Sequence, residues 1–76
     1  MRAKRLQSSL IDRIVFDDEA ETLAISFRNQ RKYLYHGVPR AIYDAFGKAQ
    51  SAGAFFNDCV KGHFRCEPIG RRYRPE

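Results

Sequence analysis

Arg28, Arg31, Lys32, Tyr33, Tyr35 and Arg40 crowd one short stretch in the middle of the chain. Lysine and arginine neutralise phosphates and release counterions, and exposed rings stack on unpaired bases at about 1–3 kcal/mol each. The grouping therefore has the residue types of a platform for single-stranded RNA or another nucleic acid. Arg71, Arg72 and Arg74 near the C-terminus extend the same chemistry, as do Arg2, Lys4 and Arg5 near the N-terminus. Tyr33 and Tyr35 share one face of any strand that holds them. Seating them in the core, with Leu34 outward, is the favoured orientation, because a small chain can ill spare two rings. The cations then bind backbone phosphates with little sequence preference.

Three other groupings carry weaker signals. Cys59, His63 and Cys66, with His36 as a fourth ligand, offer zinc-type nitrogen and sulfur donors, but their spacing fits no common zinc pattern. Cys59 on an apolar stripe reads as a small core residue, and no metal or other cofactor is expected. A Cys59–His63 nucleophile and base has no orienting third group, and no nucleotide fingerprint is present, so the chain reads as a non-enzyme. Ser51, Gly53 and Asn57, beside Lys48, could hold a phosphate at a helix start, yet Ser51 reads better as an N-cap and Gly53 as a close-packing position.

The elements that must position these residues follow from periodicity. Residues 11–17 set Ile14 and Phe16 against Arg13, and residues 22–28 alternate Leu23, Ile25 and Phe27 with Thr22, Ala24 and Ser26. The acidic run Asp17–Glu21 is a hairpin loop, Asn29-Gln30 a turn, and residues 32–36 a third strand. Pro39 opens a helix bearing Ile42, Ala45, Phe46 and Ala49, weakened by Gly47. Ser51 caps a second helix over about residues 52–62, with Gly62 ending it. The expected fold is α+β: a three-stranded antiparallel meander followed by two short helices on one face. Residues 1–8 read as a flexible basic arm, 9–66 as the domain, and 67–76 as a mobile basic tail.

Composition bounds the rest. Seventy-six residues make one small domain whose six Phe and four Tyr, without Trp, must supply core volume. Net charge is +5, divided between basic segments and the acidic cluster Asp17, Asp18, Glu19 and Glu21, which suits a polyanionic partner. Two cysteines are too few for a disulfide scaffold, and no apolar run approaches the roughly 20 residues of a membrane span. A cytoplasmic monomer is expected.

Over about Ser9 to Phe64 the chain resembles the KTSC domain, a short module named for the C-terminus of some lysyl-tRNA synthetases and also free-standing in bacteria and phages. The resemblance rests on Leu23-x-Ile25-x-Phe27, Tyr33-x-Tyr35, Val38-Pro39 with Tyr43, and Ala49-x-Ser51-x-Gly53-x-x-Phe56-Asn57-x-x-Val60. One departure is the turn before the tyrosine strand, usually glycine-containing in that family and here Asn29-Gln30; Asn tolerates positive φ, so the hairpin should survive. The resemblance implies RNA binding and brings no catalytic residue set. The alternative is a small regulator docking on the transcription or translation machinery, RNA polymerase in a phage context for example, through Leu34, Val15 or Tyr43.

Overall fold

The structure, a computed structural model, describes residues 1–69. Five strands lie in sequence order across one sheet, β1 (Arg2–Arg5), β2 (Ile11–Asp17), β3 (Thr22–Phe27), β4 (Lys32–His36) and β5 (Arg65–Ile69), every neighbour antiparallel. Between β4 and β5 the chain forms α1 (Arg40–Lys48) and α2 (Ala52–Phe55), which runs into a π-helical turn at Phe56–Val60. The α+β class stands, but the three-stranded meander is corrected to five strands. Part of the expected basic arm is β1, and the expected tail begins inside β5. Arg71, Arg72 and Arg74 lie outside the described residues.

Both added strands bury little, and this explains why periodicity missed them. Every residue of β5 except half-buried Ile69 is exposed, and Pro68 fits because an edge strand tolerates a missing ladder donor. In β1 only Lys4 is half-buried. Its ammonium lies 5.6 Å from the centre of the Tyr43 ring, and its stem passes so close to Gly47 that a Cβ there would fall 2.7 Å from Lys4 Cδ. The glycine that weakens α1 thus admits the lysine stem over the core rim. Charged edge strands of this kind also discourage edge-to-edge association.

One face of the sheet holds the core. Ile11, Ile14 and Phe16 of β2, Leu23 and Ile25 of β3 and Tyr35 of β4 are buried beneath Tyr43 and Phe46 of α1 and Phe56 and Val60 of the π turn. Aromatic contacts join the layers: Phe16 stacks on Tyr43 with centroids 5.5 Å apart, and Phe56 meets Phe27 and Tyr35 edge-on at 5.3 and 6.0 Å. Such pairs add about 0.5–1.5 kcal/mol beyond area burial. The π turn is closed by Lys61 N–H donating to the Phe56 carbonyl at 2.8 Å, and Phe56 and Val60, four residues apart, both face inward.

Turn chemistry follows the residues available. Ser51 caps α2, its hydroxyl accepting from Ala54 N–H at 3.2 Å. In the β3–β4 turn Gln30, not Asn29, takes the positive φ of 72°, while the Asn29 side chain accepts from Arg31 N–H at 3.0 Å. Gly37 has φ +69° with open space where a Cβ would project. Gly37→Ala therefore meets no clash and pays only for left-handed backbone, about 1–2 kcal/mol. Urea unfolding should show that loss with an unchanged m-value.

Candidate functional site

The uncovered face of the sheet is built by strand alternation. Because Leu23 pairs with Tyr35 and Ile25 with Tyr33 on the core side, the intervening residues project the other way. A central row, Ala3–Val15–Ala24–Leu34–Glu67, crosses all five strands and is apolar through Leu34. Beside it runs Arg5–Arg13–Ser26–Lys32–Ile69. On the other side Asp17 and Thr22 continue to His36 and Arg65.

The charges segregate along the strands. Arg5, Arg13, Arg28, Arg31 and Lys32 gather at the end formed by the β1–β2 and β3–β4 connections, where Asp12 is the local carboxylate. Asp17, Asp18, Glu19 and Glu21 occupy the opposite end at the β2–β3 hairpin, where Asp18 pairs with Arg2 at 3.1 Å. An open depression of about 530 Å³ lies at the basic end, lined by Asp12, Arg13, Ser26, Arg28, Gln30 and Lys32 among others.

The structure separates the residues expected to act together. Lys32 lies on the open face and Arg31 on the adjoining turn, both exposed. The Arg28 side chain is a strut for the β1–β2 connection: Nε donates to the Ser8 carbonyl at 2.8 Å, one terminal nitrogen donates to the Leu6 carbonyl at 3.2 Å, and the other lies 3.5 Å from Asp12. Arg40 sits beyond the far end of β4 and pairs with Asp44 at 3.6 Å. Tyr33 and Tyr35 belong to the helix-covered side, Tyr35 buried and Tyr33 packed edge-on against Phe27 at 6.0 Å, so neither offers a free ring face on the open sheet. Arg13 and Arg5 are the cations that sequence reading left out of the central grouping. Alternation within β2 marked Arg13 as outward; its alignment with Lys32 required the register.

Burial, with the Cys66 thiol and then Tyr33 as neighbours, pushes the Tyr35 hydroxyl up to about 12. The fold favours the neutral phenol, so this contribution to stability is complete below pH 10 and is lost as pH rises through about 12. Thermal melts should hold steady up to pH 10 and fall above it, and Tyr35→Phe should flatten that decline. Burial likewise raises Tyr43, with the Arg2 charge opposing.

The remaining candidates do not converge. Cys66 pairs with Tyr35 on the helix-covered side, while His36 projects from the open face and meets Glu67 at 3.3 Å. Among the described residues no three metal-ligating side chains come together, and both cysteines are free. No described helix is long and apolar enough to cross a membrane.

Residues 7–64 match the KTSC domain family. The chain is 37% identical over 60 residues to a protein of Tsukamurella paurometabola, covering 79% of this chain and 90% of the relative. It is 33% identical over 66 residues to a protein of Stutzerimonas stutzeri, covering 86% and 93%. A lysine–tRNA ligase of Nostoc punctiforme matches at 30% over 63 residues, which is 83% of this chain and 11% of the ligase. The crystal structure of a KTSC domain protein from Yersinia pestis superposes with a TM-score of 0.86 at 39% identity, covering 91% of this chain and 97% of that one. The same unit thus makes up nearly the whole of some proteins and a small part of a tRNA ligase, and the chain belongs to the KTSC domain family.

Proposed function

We propose that this KTSC domain is a non-enzymatic module that binds single-stranded RNA, in the cytoplasm, across the basic end of its open sheet face. The observation that carries this reading is the cross-strand alignment of Arg5, Arg13 and Lys32 beside the apolar row Val15–Ala24–Leu34. Cations along one row can follow a phosphate backbone while the neighbouring row receives the less polar parts of the nucleotides. The acidic hairpin repels a strand at the other end and so orients it. Kinship with a segment of a tRNA ligase is consistent with an RNA partner.

With the tyrosines in the core, affinity comes mainly from phosphates, so sequence preference is weak and salt dependence steep. Fluorescence anisotropy of a labelled single-stranded RNA, repeated over a range of salt, tests this. Loss of affinity along a straight logarithmic line supports it, and absence of binding at low salt refutes it.

The competing reading, a regulator docking on a protein of the transcription or translation machinery, draws on the same face through Val15 and Leu34. Tyr43 is only 2% exposed and so offers no surface for such docking. Saturable, salt-insensitive binding to a purified protein, damaged by Leu34→Ala, would favour that reading.

A further inference from the structure

The depression at the basic end has the parts of a seat for one tetrahedral oxyanion. In the ladder Ser26 stands directly between Arg13 of β2 and Lys32 of β4. Adjacent strands are about 4.8 Å apart, so the two cations start roughly 10 Å from each other and can close from both sides on an ion over the serine hydroxyl. Gln30 brings an amide donor to the rim.

These donors are uncommitted. Among the described residues neither Arg13 nor Lys32 has a carboxylate within ion-pair distance, whereas Asp12 is shared by Arg5 at 3.7 Å and Arg28 at 3.5 Å. Arg5 also lies directly across from Arg13, a like-charge cross-strand pair that weakens the sheet until an anion intervenes.

We propose that this depression is a phosphate seat, in which Arg13 and Lys32 close on an oxyanion that accepts a hydrogen bond from the Ser26 hydroxyl. Its ligand is one phosphodiester of a nucleic-acid strand, an assignment that rests on the RNA-binding reading above. The strand then crosses the sheet along the Arg5–Arg13–Lys32 row rather than running along β4.

The test is amide NMR of the full chain at fixed ionic strength, titrated separately with inorganic phosphate, the dinucleotide UpU and chloride. Saturable shifts centred on Ser26, Phe27 and Gln30 are expected with phosphate and with UpU, and none with chloride. Lys32→Gln should weaken both by at least tenfold, and Ser26→Ala severalfold, with the remaining spectrum and the thermal midpoint preserved. Shifts that follow ionic strength alone, or that survive Lys32→Gln, overturn the seat. Binding to phosphatidylserine–phosphatidylcholine vesicles with no response to UpU also overturns it, because the phosphate source would be a lipid. Saturable UpU shifts without affinity for longer RNA would keep the seat and sink the wider reading of an RNA-binding module.

Discussion

The double variant Arg13→Glu/Lys32→Glu should lose RNA binding almost entirely while remaining folded. Each phosphate contact with a single strand contributes about −0.7 to the slope of log affinity against log salt, so losing two reduces the slope magnitude by about 1.4. Reversal does more than neutralisation, because two carboxylates then face the phosphate track. Both residues are exposed and outside the core, which protects the fold. Replacing Arg13 by glutamate also removes its like-charge cross-strand pairing with Arg5, so the thermal midpoint should hold or rise. The matched control is Arg40→Glu, at the other end of β4, which should change affinity far less. Equal losses from the two sites would mean diffuse attraction to a basic protein and no localised interface.

Phe16→Ala should have the largest effect on stability. The ring is 1% exposed, near the C-terminal end of β2 and stacked on Tyr43. Truncating a buried phenylalanine costs about 3–5 kcal/mol, from lost transfer free energy and the cavity left behind. For a domain of this size each kcal/mol shifts the thermal midpoint by about 4–8 °C, so a fall of at least about 12 °C is expected in a melt followed by circular dichroism. Leu34→Ala, two strands over on the open face, should stay within about 1 kcal/mol, since its side chain is half-buried without helix cover. A larger loss at Leu34 than at Phe16 would mean that the core had been assigned to the wrong face.

These contrasts also mark how far the residues alone could be read. Alternation of Leu23, Ile25 and Phe27 identified the core strand and its buried face, because a side chain period of two cannot slip without exposing the whole apolar set. Ser51 was legible as a cap because its side chain completes a local hydrogen bond. The tyrosine orientation was legible as a preference, from the shortage of core volume. Lys4 was not: its role depends on Gly47 and Tyr43, far away in the chain.

The amino-acid sequence by itself determined the family, the α+β class, the inner strands and the polarity of the charge pattern, all of which depend on local periodicity or on residue types along the chain. Only the tertiary structure decided that β1 and β5 complete the sheet, since edge strands held by backbone hydrogen bonds need no apolar pattern. It also decided which cations stand together. Arg5, Arg13 and Lys32 are dispersed in sequence, and antiparallel register alone puts them in one row.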